Sequence, residues 1–163
     1  MTKKSWRPIA GPLLLASVLL ASIGAAAAAG PRGIWLTEDG EGAVEIFDCG
    51  AVLCGRIVWQ KSPLRADGSL DTDDRNPNPA QRQQPICGLQ IISEMRPTGP
   101  AAWGDGRIYD PDSGKTYQAT MALENADMLR LRGYVGVPLF GTSQLWQRAP
   151  AGLALCTEPK IPS

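Results

Sequence analysis

The chain has 163 residues, 44% of them hydrophobic, with 18 Gly and 14 Pro, a globular composition with enough material for one ordinary core and not two. It contains no His, which excludes a Ser-His-Asp or Cys-His hydrolase, a His-ligated zinc or haem site and a histidine pH switch. Lys plus Arg number 16 and Asp plus Glu number 16, so there is no global basic field to hold nucleic acid.

Residues 1–29 read as a secretory signal peptide: Lys3, Lys4 and Arg7 form a basic start, residues 9–23 an apolar stretch, and residues 24–29 a small-residue end suited to cleavage after Ala29. The mature chain then begins near Gly30, as an exported periplasmic or secreted protein with no membrane span. No Cys follows the apolar stretch before Cys49, which disfavours a lipid anchor. Without the leader, 13 basic residues face 16 acidic ones, and nucleic acid becomes less plausible still.

Beyond the leader the apolar period is two, and no stretch carries a helical stripe. Strands are predicted over residues 32–37, 43–48, 52–60, 86–95, 101–109, 115–123, 128–134 and 142–148. Turn chemistry separates them, as in Glu38-Asp39-Gly40-Glu41-Gly42, Arg96-Pro97-Thr98-Gly99-Pro100 and Asp110-Pro111-Asp112-Ser113-Gly114. Eight sequential strands without crossover helices predict an all-β, up-and-down antiparallel barrel over residues 30–150, followed by a C-terminal tail at 151–163. A two-sheet sandwich is the alternative.

All four cysteines lie in the mature part, where an even count in an exported chain reads as disulfides. Of the three possible pairings, Cys49 with Cys54 and Cys87 with Cys156 is favoured. A four-residue turn would set Cys49 directly opposite Cys54; a two-residue turn would leave them diagonal and too far apart. Parity puts Val44, Ile46, Ile57 and Trp59 on one face of this hairpin, and Glu45, Phe47, Cys49, Cys54, Arg56 and Val58 on the other.

Residues 61–85 interrupt the rhythm with a polar loop rich in Pro, Asp and Asn. Asp67, Asp71, Asp73 and Asp74 are hard oxygen ligands, but Arg75 stands in the wrong place for a calcium loop and no glycine takes the sixth position. Asn76-Pro77-Asn78-Pro79 reads instead as rigid turns that lay the loop across one barrel end, as a lid over a cavity. No metal is expected.

Taken together, Gly33-Ile34-Trp35-Leu36-Thr37, Cys54-Gly55-Arg56-Ile57-Val58-Trp59, Asp73-Asp74-Arg75-Asn76-Pro77-Asn78-Pro79, Gly104-Asp105-Gly106-Arg107-Ile108-Tyr109-Asp110-Pro111, Arg132-Gly133-Tyr134, Pro138-Leu139-Phe140-Gly141 and Trp146 resemble the exported bacterial family known as domain of unknown function 2147. The resemblance covers nearly all of the mature chain, in order, and implies a small periplasmic or secreted protein with a lipocalin-like barrel. Gly33-x-Trp35 also resembles the lipocalin opening motif, in which the Trp closes the barrel base under an Arg from the last strand; Arg148 takes that part here.

A lipocalin-like barrel of eight strands can hold one small molecule. By parity Trp59, Tyr117, Met121, Leu129 and Leu131 point inward. Trp59, Tyr117, Arg132 and Tyr134 are the candidate ligand-binding residues, although the alternation of Arg132 with Leu129 and Leu131 places its side chain outside. Gly33, Gly55, Ala119 and Gly133 would leave room inside. A small apolar ligand is the expected partner; the alternative is an envelope structural or interaction protein whose barrel is full and whose loops do the work. No carboxylate pair stands out for acid-base chemistry, so neither catalytic residues nor a cofactor is expected.

Overall fold

The computed structural model describes residues 30–156; the expected leader at 1–29 and the end of the tail at 157–163 lie outside the described residues. Eight strands follow in chain order: β1 (Gly33–Leu36), β2 (Gly42–Cys49), β3 (Val52–Gln60), β4 (Gln90–Gly99), β5 (Ala102–Asp110), β6 (Lys115–Asn125), β7 (Met128–Tyr134) and β8 (Thr142–Arg148). Each pairs antiparallel with the next, and β1 closes on β8 through Trp35 opposite Arg148 and Leu36 opposite Gln147. Closure removes both sheet edges. Among the described residues the only helical turns are 3-10 turns at Pro79–Gln81 and Pro138–Phe140, and no helix is long and apolar enough to cross a membrane.

The up-and-down order fixes two ends. One end carries the β2–β3, β4–β5 and β6–β7 turns. The other carries the β1–β2 turn, the long 61–89 connection, the β5–β6 turn and the 135–141 loop.

The first end is closed. Trp35 is fully buried and donates its indole N–H to the Pro31 carbonyl at 2.7 Å. The Arg148 guanidinium stacks over the indole at 4.1 Å, as the opening motif implies. It also donates to the Ala126, Arg32 and Gly30 carbonyls at 2.9, 3.1 and 3.2 Å, tying the last strand to the first and to the β6–β7 turn. Above this floor Ile46, Leu53, Ile92, Met95, Met121 and Leu129 fill the barrel. Gly106 makes the filling possible, since a Cβ there would lie 2.4 Å from the Met95 sulfur. Gly55 does not leave room: Ile46 and Ile92 already occupy the space beside it at 3.0 and 3.1 Å.

Three local readings are corrected. The fourth strand runs Gln90–Gly99 and not 86–95, because Ile86, Cys87 and Leu89 belong to the long connection, with Ile86 N–H bonded to Asp71 O and Gly88 N–H to Ile57 O. The strand instead continues through Pro97, which an antiparallel sheet tolerates beside the shifted register between Pro97 and Gly99. The Cys49–Cys54 bridge forms in the two-residue register: Cys49 pairs with Val52 and Phe47 with Cys54, so the bridge is diagonal, with a Cα–Cα distance of 5.8 Å. Gly50, at φ +80°, supplies the primed turn that this register needs, and strand twist draws one diagonal together. Finally, a bulge puts Val44 opposite Ile57 but Ala43 opposite Trp59, which breaks the parity that had placed Trp59 inward.

Candidate functional site

At the other end the barrel is open. A cavity of about 520 Å³ descends from the mouth, with Val44, Ile57, Ile91, Ile108 and Trp146 forming apolar walls. A second space of about 300 Å³ adjoins it, between Tyr117, Leu131, Gly133 and Thr142, and the two share Ile108, Asp110 and Gln144. Gly133 therefore does leave room, in contrast to Gly55. Gln144 accepts the Trp146 indole N–H at 2.8 Å, which fixes the ring that floors the larger cavity.

The 61–89 connection walls one side of this mouth and is a built structure. Its anchor is Asp73, which is 1% exposed and accepts the Tyr109 hydroxyl and the Asn76 amide, both at 2.6 Å. Asn76 orients the next turn by accepting the Asn78 N–H, and Asn78 caps the short 3-10 turn through Ala80 N–H. The Asn-Pro-Asn-Pro run is thus a chain of side-chain caps. Burial, and then the hydrogen bond to Asp73, raise the Tyr109 phenol above its ordinary value.

Arg65 holds the connection together from within, reaching Asp71 and Asp74 at 3.3 Å each and Thr72 O at 3.0 Å. Arg75 donates to Asp112 O, and Gly114 must be glycine there, because a Cβ would lie 2.1 Å from Arg75 O. The segment's Asp71, Asp73 and Asp74 are therefore engaged by Arg65, Gln60, Tyr109 and Asn76. The bridge from Cys87 to Cys156 and the bond from Cys156 N–H to Val58 O fasten its far end to the tail.

Asp73→Ala would leave the Tyr109 hydroxyl and the Asn76 amide without their acceptor, an expected loss of about 1–3 kcal/mol. Limited proteolysis should then cut within 61–85 well before the barrel unfolds. A raised phenol value means that Tyr109 contributes stability below the ordinary tyrosine pKa and loses it as pH rises through and beyond that value. An absorbance titration of the wild type should accordingly show a displaced alkaline phenol step that Tyr109→Phe lacks.

Of the four residues singled out from sequence, only Tyr117 lines the cavities. Trp59 is half-buried, outside the core cluster and away from both spaces. Arg132 faces outward, as its alternation implied, and donates to Pro138 O at 2.7 Å, Ser143 Oγ at 2.8 Å and Leu139 O at 3.3 Å, which shapes the 135–141 loop. Tyr134 pairs with Gln118 on the same outer face. Sequence reasoning missed Ile108, Asp110, Thr142 and Gln144. The period-two register of Thr142, Gln144 and Trp146 was the signal that could have found the last two.

A family model described as an uncharacterised protein conserved in bacteria, domain of unknown function 2147, matches residues 33–148, from the first strand to the last. Protein HP1028 from the human pathogen Helicobacter pylori, reported to belong to the lipocalin family, is structurally similar at a TM-score of 0.64 and 24% identity. The match covers 74% of this chain and 83% of that one, and what it shows is a common fold. No curated protein matches the chain.

Proposed function

From a chain that belongs to the bacterial family domain of unknown function 2147, whose model spans residues 33–148, we propose an exported carrier that binds one small, largely apolar molecule in the open half of its barrel. The observation that carries this reading is the contrast between the two ends. The closed half is packed solid over Trp35, whereas the open half keeps a cavity of about 520 Å³ walled by Val44, Ile57, Ile91, Ile108 and Trp146. Small-molecule sites are concave spaces that combine apolar walls with convergent polar groups. Here the apolar walls are joined by Gln144 and Asp110 and by a polar rim that includes Thr37, Gln60, Ser62 and Arg65. Two intact disulfides support residence in an oxidising compartment, with residues 1–29 as the cleaved leader. Binding rather than catalysis is the role this arrangement favours.

Native mass spectrometry of the mature protein, purified from its own periplasm, tests the reading. We expect one small-molecule adduct per chain, lost on denaturation and absent from Ile108→Trp, whose ring would fill the space where the two cavities meet. A bare mass for the wild type would contradict it. One observation favours a second reading, an envelope interaction protein acting through its loops: Val135, Val137, Leu139 and Phe140 are 51–79% exposed on the 135–141 loop.

A further inference from the structure

The loop between β7 and β8 gathers Val135, Val137, Leu139 and Phe140 at the surface, with Leu139 and Phe140 each 79% exposed on the Pro138–Phe140 3-10 turn. Clustered exposed apolar side chains mark a contact surface. The loop is held in shape. Arg132 donates to the Pro138 and Leu139 carbonyls and to Ser143 Oγ, and Gly141 packs so closely on the base that a Cβ there would lie 2.5 Å from Gly133 O. A turn fixed in this way loses little conformational freedom when it is covered.

The size and charge of the tip select the partner. Four side chains fall far short of the roughly 20–30 residues a side that a stable protein interface buries. Binding to a bilayer scales with buried apolar area and needs no shape-matched surface opposite. Residues 128–148 contain no Asp or Glu, and Arg132, which spends three of its five N–H donors on neutral oxygens, forms no ion pair among the described residues. A guanidinium at the root of an apolar tip suits a lipid phosphate. The turns on either side carry both signs of charge, with Glu41 paired to Lys61 at 2.7 Å beside β8, and Lys115 opposite Asp110 beside β7. Asp39 and Asp112 add two carboxylates to those turns, which complement the ammonium of a zwitterionic head group and oppose a strongly anionic surface. We propose that the 135–141 loop seats the protein on a zwitterionic phospholipid bilayer, with Leu139 and Phe140 among the acyl chains and a lipid phosphate at Arg132. The loop rises from Gly133 and Thr142, which line the smaller cavity, so the seated face is the one through which the barrel opens. Resting on the reading of that space as a ligand cavity, the contact lets an apolar molecule pass between bilayer and barrel without crossing water.

Flotation of the mature, disulfide-intact protein with vesicles of phosphatidylethanolamine and phosphatidylcholine tests the docking. The wild type should float, and a variant carrying Leu139→Ser and Phe140→Ser should partition at least about tenfold more weakly. A variant carrying Leu145→Ser and Leu155→Ser, which removes two exposed leucines outside the loop, should float like the wild type. Phe140→Trp keeps an aromatic tip, and its added fluorescence should be quenched by lipids brominated on their acyl chains. No flotation, or equal flotation of the loop variant, would overturn the proposal. Flotation only after phosphatidylglycerol is added would overturn the assignment to a zwitterionic surface, and a dimer that forms without lipid and is lost in the loop variant would give the loop to a second copy of the chain. Native mass spectrometry without vesicles reports the cavity separately, so failure of either reading is distinguishable from failure of the other.

Discussion

Trp35→Ala is expected to destabilise the protein by about 3–5 kcal/mol, the range for removing a large aromatic side chain from a close-packed core. Trp35 has no exposed surface, and its contacts join the lead into β1 to the end of β8. The indole holds Pro31 through its N–H and carries the Arg148 guanidinium on its face. Its loss therefore leaves a cavity and also a cation that keeps only the Gly30, Arg32 and Ala126 carbonyls and the Asp127 carboxylate as partners. The closure of β1 on β8 is the shortest pairing in the barrel, with two register pairs, so it depends on this contact more than any other seam does. Urea unfolding should show the fall in midpoint, and Arg148→Ala should show a smaller one, since it opens no comparable void. A Trp35→Ala midpoint within error of the wild type would mean that the barrel closes without its floor.

The second large effect belongs to the bridge between Cys87 and Cys156. It spans a sequence separation of 69, and the chain-entropy argument assigns such a loop about 4 kcal/mol, compared with about 2 kcal/mol for the Cys49–Cys54 bridge at a separation of 5. Replacing each pair by Ala separately and measuring urea midpoints should reproduce that order. The long-range bridge also has a positional role that the short one lacks. It joins the 61–89 connection to the tail beside β3, where Cys156 N–H bonds Val58 O. Removing it should expose residues 61–85 and the tail to protease together, whereas removing the hairpin bridge should leave both protected.

Much of the fold was legible because it rests on local alternation. The Tyr117, Ala119, Met121 and Leu123 row, paired with Leu129, Leu131 and Gly133, is read correctly from sequence, and that hairpin has no irregularity until Leu123. Trp35 and Arg148 were legible for another reason: a short motif at the first strand and one cation at the last meet wherever eight strands close. What escaped was everything a bulge or a long-range contact decides. One extra residue opposite Ala43 turned Trp59 out of the expected face, and parity cannot register such an insertion. The fourth strand slid toward Gly99 because the long connection claimed Ile86 and Leu89 for its own packing. The Asp73–Tyr109 bond joins residues 36 apart, and nothing local in Asp73-Asp74-Arg75 separates the buried carboxylate from its exposed neighbour. Arg132 lies away from both cavities for a related reason. Arg132 had no visible acceptor in sequence, since its partners are the Pro138 and Leu139 carbonyls and the Ser143 hydroxyl, groups that only the folded loop assembles.

In the proposed function a small molecule binds in the open half of the barrel and not on the apolar loop beside it. Titration with N-phenylnaphthylamine, a neutral apolar fluorophore, tests it most directly when run on three forms of the mature protein. The wild type should bind one probe per chain, a variant carrying Leu139→Ser and Phe140→Ser should bind it equally well, and Ile108→Trp, at the residue both cavities share, should bind it at least about tenfold more weakly. Loss of binding in the loop variant with retention in Ile108→Trp would contradict this placement and transfer the function to the 135–141 loop.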